Sequence, residues 1–143
     1  MLGTYLKLVG VHLIVILIII NVKMRIEKYK LSDLYVRVYT ENGFKVVKIP
    51  ESEVYQSLID NDKERYTKYH NLVRRKYNQE DTHTYDKFSD LLNDISVNDF
   101  ELKYRIKITI RTGLPEIIDG QHRAAILYID DSTREVDVEV YDL

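Results

Sequence analysis

Residues 116–127, EIIDGQHRAAIL, hold the side chains whose types and spacing can do chemistry. The apolar pair Ile117-Ile118 reads as a short strand that runs into Asp119-Gly120. The chain then enters a helix whose first turn carries Gln121, His122 and Arg123. A glycine at this junction turns the backbone without a steric penalty. The first N–H groups of a helix have no partner within it, and the dipole there is positive. With His122 and Arg123 beside those N–H groups, Gly120 to Arg123 is a candidate site for phosphate or another anion. Asp119 at its lip is the candidate catalytic carboxylate, as a general base or as a metal ligand.

A structural reading of the same residues stands beside this one. Asp-Gly before a helix is an ordinary cap and turn, with Asp119 accepting an N–H from the first helical turn. Arg123 then pairs with a nearby carboxylate. Ala124, Ala125, Ile126 and Leu127 are the buried part of the helix in either case.

DGQHRAAIL, followed by the alternating strand VDVEVYDL, resembles the signature of the ParB/sulfiredoxin-like superfamily. The likeness covers residues 116–143 well, and FKVVKIPESEVYQSLID at 44–60 more weakly. It implies an α/β (α+β) domain, a small mixed sheet with helices, that binds a nucleotide phosphate at the strand–turn–helix. The superfamily includes nucleotide hydrolases, sulfiredoxins and free-serine kinases. Sulfiredoxin chemistry needs a cysteine in the phosphate turn, where this chain has Gln121. The serine-kinase branch resembles this chain in its acidic early loop, which points to Glu51 and Glu53 as a second catalytic carboxylate. That branch has histidine where Gln121 stands. The implied ligands are ATP, ADP or CTP with Mg2+, or a phosphorylated small molecule.

Composition narrows the alternatives. The chain has no cysteine, so its residues form no disulfide, thiolate metal site or cysteine nucleophile. Its four histidines, His12, His70, His83 and His122, show no metal-ligand spacing. The formal net charge of −2 gives no support to a general binder of nucleic-acid backbones. No Walker-type phosphate loop is present.

The N-terminus differs from the rest. Tyr5 to Val22, interrupted only by Lys7 and His12, is almost wholly apolar. Such a run is near the lower length limit of about 17 residues for crossing a bilayer. The basic flank at Lys23, Arg25, Lys28 and Lys30 keeps the following domain cytoplasmic by the positive-inside rule. Residues 1–23 are therefore expected to anchor the chain to the membrane as a hydrophobic helix. Residues 23–30 read as a juxtamembrane linker, and 24–143 as the globular domain. The alternative is a soluble cytoplasmic protein in which the run is a core element.

The elements that must position the site follow from periodicity. Tyr35 to Tyr39 alternates as a half-buried strand, and Glu41-Asn42-Gly43 is a hairpin signal returning through Phe44 to Ile49. Ser52 caps a helix reaching about Asn61, with Val54, Tyr55, Leu58 and Ile59 inward. A helical insertion spans about 62–96. Its first half places Tyr66, Tyr69, Val73 and Tyr77 on one face amid Lys63, Arg65, Lys68, Arg74, Arg75 and Lys76. That face is either a core stripe beneath a solvated basic surface or a nucleic-acid surface, with the overall acidity against the latter. A second helix is expected from Tyr85 to Ile95, capped by Thr84 after a polar loop, with a turn at Asn98-Asp99. Tyr104 to Ile110 and Val136 to Val140 read as strands. The order β-β-α-α-α-β-β-α-β gives a mixed sheet covered by helices. The leading functional expectation is a nucleotide- or phosphate-binding domain acting as an ATP- or ADP-dependent phosphotransferase on a small hydroxyl-bearing acceptor. The alternatives are a non-catalytic nucleotide-sensing module or a DNA-binding ParB-like protein.

Overall fold

A computed structural model describes residues 23–78, 85–86, 88–90, 105–110 and 112–142. Their architecture is a mixed α/β fold built on a six-stranded mixed sheet. The strands are β1 (Met24–Lys30), β2 (Tyr35–Thr40), β3 (Gly43–Lys48), β4 (Ile106–Thr109), β5 (Glu116–Asp119) and β6 (Glu135–Tyr141). The helices α1 (Glu53–Ile59), α2 (Lys63–Tyr77) and α3 (Gln121–Asp130) join them, and residues 85–86 and 88–90 are also helical. The strand order is β1-β6-β4-β5-β2-β3. Pairs β4–β6 and β2–β5 are parallel; β1–β6, β4–β5 and β2–β3 are antiparallel.

Period-two alternation decides the two faces of this sheet. Val36, Val38, Ile106, Ile108, Ile117, Val136, Val138 and Val140 point to one side, where they form a single core with Val54 of α1, Tyr66 of α2 and Ala124, Ala125 and Leu127 of α3. Arg37, Tyr39, Lys107, Thr109, Glu116 and Glu139 lie on the other side. The expected cap at Ser52 is present: its Oγ accepts the Tyr55 N–H at 3.2 Å and donates to the Ile49 carbonyl at 2.7 Å. The Asn42-Gly43 hairpin pairs Tyr39 with Phe44. Asp62 caps α2 through the Arg65 N–H at 3.0 Å, and Asn78 ends that helix in the left-handed conformation, which asparagine tolerates.

Several boundaries depart from the sequence reading. Residues 24–30 are not a linker; they are edge strand β1, in register with β6 over its whole length. Charges that resembled a membrane flank are those an edge strand carries to discourage further pairing. Arg25 bonds Asp142 at 2.8 and 2.9 Å, and Lys28 bonds Asp137 at 3.0 Å. Helix α1 stops at Ile59, and that side chain is exposed, because a helix this short brings Val54 and Ser57 inward instead. Ile49 leaves the β3 ladder for a turn of 3-10 helix across Pro50. On α2 the tyrosine stripe buries Tyr66 and half-buries Tyr69 and Val73, but Tyr77 is 47% exposed. Tyr85 and Phe88 are buried as expected; the loop at 79–84, Leu91, Leu92, Ile95 and Asn98-Asp99 lie outside the described residues. So do residues 1–22, and among the described residues no helix is long and apolar enough to cross a membrane.

Candidate functional site

The β2–β5 ladder is short. It pairs Tyr35 with Glu116 and Val36 with Ile117, then stops. Beyond it, past the C-terminal ends of two parallel strands, opens a pocket of about 370 Å³. Its walls are Arg37 and Tyr39 of β2, Glu116 to Asp119 of β5, and Gly120, Gln121 and His122. Open α/β sheets place ligands at such ends, and the volume lies in the usual range of about 300–1,000 Å³ for small-molecule sites.

Gly120 is the hinge of this site. Its φ of 96° and ψ of 23° lie in the left-handed region. It is the N-cap of α3, and no side chain caps the helix there. The helical ladder begins with Ala124 N–H to the Gly120 carbonyl at 2.9 Å. The N–H groups of Gln121, His122 and Arg123 therefore precede the first helical bond, at the positive end of the dipole. A Cβ on Gly120 would lie 2.9 Å from Arg123 Nη2 and 3.2 Å from Ile106 Cα. The guanidinium of Arg123 thus folds back over the turn.

A bulge aims Asp119. Lys107 pairs with Asp119 and Ile108 with Ile117, so one step on β4 spans two on β5. The extra residue is Ile118, and it turns Asp119 to the face that Glu116 also occupies. Asp119 is exposed and does not cap α3. Its Oδ2 lies 3.7 Å from Arg123 Nη2 and 3.9 Å from Lys107 Nζ. Both distances exceed a hydrogen bond. The two cations bracket the carboxylate without closing on it.

His122 lines the pocket, but its ring also enters an aromatic cluster. Its Nε2 shares a 2.8 Å hydrogen bond with the Tyr66 hydroxyl, and its ring meets Phe88 edge-on at 4.9 Å. The imidazole is thereby fixed in orientation. Glu51 and Glu53 do not line the pocket. Glu51 is exposed at the end of the 3-10 turn, and Glu53 receives both Nε and Nη2 of Arg65 at 2.6 and 3.2 Å, fastening α1 to α2.

The carboxylate that shares the pocket with Asp119 is Glu116, which sequence reasoning passed over. Only 1% exposed, it receives Arg37 Nε at 2.6 Å and Nη2 at 3.2 Å. The Arg37 guanidinium also lies 3.9 Å over the Phe44 ring. A charge fixed by a fork on one side and an aromatic face on the other is pre-organised. The alternation of β2 places Arg37 on the non-core face, which is the signal available in sequence. Nothing local connects it to Glu116, 79 residues away.

Among the described residues no group of three or more histidine, aspartate or glutamate side chains could hold a metal ion. One carboxylate is nevertheless enough for magnesium when phosphate oxygens and water complete its shell. No protein-family model, curated protein or solved structure matches the chain.

Proposed function

We propose that this chain is a ParB/sulfiredoxin-type domain that binds the phosphate groups of a nucleotide at the Gly120 turn and transfers phosphate to a small hydroxyl-bearing acceptor. The observation that carries the reading is the left-handed Gly120 at the head of α3, with no side-chain cap, facing a pocket beyond the β2 and β5 ends. Backbone N–H groups of Gln121 and His122 would receive a phosphate, and Arg37 in the pocket wall would add charge; Arg123 does not line the pocket and would act from behind the turn, beside Asp119. Asp119, exposed and held off its two cations, would take the proton of an acceptor hydroxyl or hold Mg2+. Magnesium supplies neutralisation of charge on the transferred group. The absence of a Cβ at Gly120 is what lets the Arg123 guanidinium and the Ile106 backbone approach the turn so closely. A nucleotide-sensing module without chemistry is the second reading. It is favoured by the engagement of Glu53 with Arg65 and the place of Glu51 away from the pocket.

The test is nucleotide affinity and turnover in the full-length protein with and without magnesium, compared with Arg123→Ala and Asp119→Asn. Arg123→Ala is expected to weaken nucleotide binding by about 2–5 kcal/mol with the fold intact. Asp119→Asn is expected to keep affinity and to lower turnover at least about a hundredfold. Turnover unaltered by Asp119→Asn removes that residue from the mechanism. Binding without turnover in the parent protein selects the sensing module.

A further inference from the structure

The β2–β5 ladder ends at Val36 and Ile117, and among the described residues no strand pairing joins the two walls of the Gly120 pocket beyond it. One wall is Arg37 and Tyr39 of β2; the other is the turn that carries Gln121 and His122. The fork from Arg37 to Glu116 ties the strands only where the ladder already holds them. Glycine is the most permissive residue a turn can have, and α3 starts without a side-chain cap. The local chain therefore does not fix the gap between the walls.

Helix α2 reaches both walls. Tyr66 and Tyr69 stand three residues apart, on one face of the helix. The Tyr66 hydroxyl shares its 2.8 Å hydrogen bond with His122 Nε2, and the Tyr69 hydroxyl accepts the Tyr39 backbone N–H at 3.1 Å. Tyr66 is itself held: it is buried, stacked with His70 at 4.0 Å and with Phe88 at 5.4 Å, and met edge-on by Tyr85 at 5.5 Å. His70 Nδ1 lies 3.1 Å from the Tyr66 carbonyl, which can only accept, so that nitrogen carries its proton and the stacked ring is fixed. Further along α2, Lys76 donates to the Thr40 and Gly43 carbonyls at 2.9 and 3.0 Å, tying the helix to the hairpin that bears Tyr39. We infer that α2 is the spacer of the Gly120 pocket, with Tyr66 and Tyr69 as positioning residues that set the gap between its walls. Neither tyrosine lines the pocket, and the inference rests on the phosphate-binding reading of it. A phosphate at the turn meets one wall; a nucleotide whose phosphate sits there extends towards the other. Tyr66 thus governs how the phosphate is received, and Tyr69 governs how the rest of the nucleotide is accommodated.

The test is titration calorimetry of the full-length protein with inorganic phosphate and with ATP, both in magnesium. Tyr66→Phe keeps the ring stack and removes the hydroxyl. It is expected to weaken both probes about 2- to 12-fold, the equivalent of the about 0.5–1.5 kcal/mol of one hydrogen bond. Tyr69→Phe should weaken ATP over the same range and leave inorganic phosphate unchanged. In a His122→Ala background Tyr66→Phe should cost phosphate nothing more, because the hydroxyl acts through that ring; a tyrosine that merely stabilises the fold would give additive losses. Nitrogen NMR of the His122 side chain supplies a readout without ligand: its resonances should move in Tyr66→Phe and hold in Tyr69→Phe. Variants that bind both probes like the parent, additive losses in the double variant, or His122 resonances unmoved by Tyr66→Phe would each overturn the inference. A parent protein that binds neither probe, while His122 still responds to Tyr66→Phe, would refute the phosphate reading itself and with it the role given to α2, leaving the contact in place.

Discussion

Replacing Gly120 with alanine tests the geometry of the strand–turn–helix most directly, because Gly113 provides an internal control. Both glycines have positive φ, 81° at Gly113 and 96° at Gly120. An L-residue in that region loses about 1–2 kcal/mol. Alanine regains about 0.4–1 kcal/mol by stiffening the unfolded chain. At Gly113 nothing lies within 4 Å of the new Cβ, so the net loss should be about 1 kcal/mol. At Gly120 the same strain is joined by two contacts, 2.9 Å to Arg123 Nη2 and 3.2 Å to Ile106 Cα. Arg123 can swing its tip away, giving up its approach to Asp119. Ile106 cannot yield so cheaply, because its backbone belongs to β4, held between β5 and β6. Overpacking against such a wall costs about 1–3 kcal/mol. Gly120→Ala should therefore lose about 2–4 kcal/mol in all.

Urea unfolding followed by far-ultraviolet circular dichroism measures both variants. With a slope of about 1–3 kcal/mol per molar urea, the two midpoints should differ by roughly 1 M. A Gly120→Ala protein no less stable than Gly113→Ala would refute the close approach of the turn to β4 and with it the account of why Gly120 is glycine. The same variant displaces the Arg123 guanidinium, so nucleotide affinity should fall in Gly120→Ala and hold in Gly113→Ala.

Three further outcomes are expected. Arg37→Met leaves Glu116 buried without its fork and should cost about 3 kcal/mol, part of which Glu116→Gln in the same protein should restore; equal stability of the single and double variants would deny the pairing its role. Burial pushes the Tyr69 and Tyr85 phenols above their ordinary value of 10.0. The folded state thus holds these protons longer than the unfolded chain. That contribution is complete below about pH 10 and is lost as pH rises through the raised values. Urea midpoints should fall above that pH, and less steeply in Tyr69→Phe. Finally, if Tyr5 to Val22 anchor the chain as proposed from their apolarity, the full-length protein should sediment with membranes and resist alkali and salt while yielding to detergent; recovery in the soluble fraction without detergent would make the run a core element.

The legible parts of this chain are those decided by neighbours in sequence. Ser52 caps α1 because its Oγ reaches an N–H three residues on. The Asn42-Gly43 hairpin sets its own register through turn geometry. Ala124 to Leu127 are buried because they follow the Gly120 turn on the sheet side. The illegible parts depend on which strands become neighbours. Charge along Met24 to Lys30 reads as a linker until β6 is known to lie beside it and to supply Asp137. Glu116 carries no signal of its own until β2 pairs with β5 and brings Arg37 against it.

The same limit governs the candidate site. The sequence reading puts Asp119 at the lip of the turn, but alternation along β5 cannot say which sheet face it joins, because alternation knows nothing of a bulge. The bulge exists only in relation to β4, where a single step from Lys107 to Ile108 must match two. It places Asp119 with Glu116, on the face away from the core, and brings Lys107 to 3.9 Å. The local signature thus locates the turn, and long-range pairing decides which charges face it. Glu53 shows the converse: its position after β3 suggested a second acid for the site, but Arg65, twelve residues on, engages both of its oxygens in holding α1 against α2. A carboxylate satisfied by a two-point ion pair is poorly available to a substrate, since a competitor must displace both bonds. By that argument the phosphotransfer proposed for the Gly120 pocket would rest on Asp119, and Asp119→Asn would separate a transferase from a sensor more sharply than any change at Glu51 or Glu53.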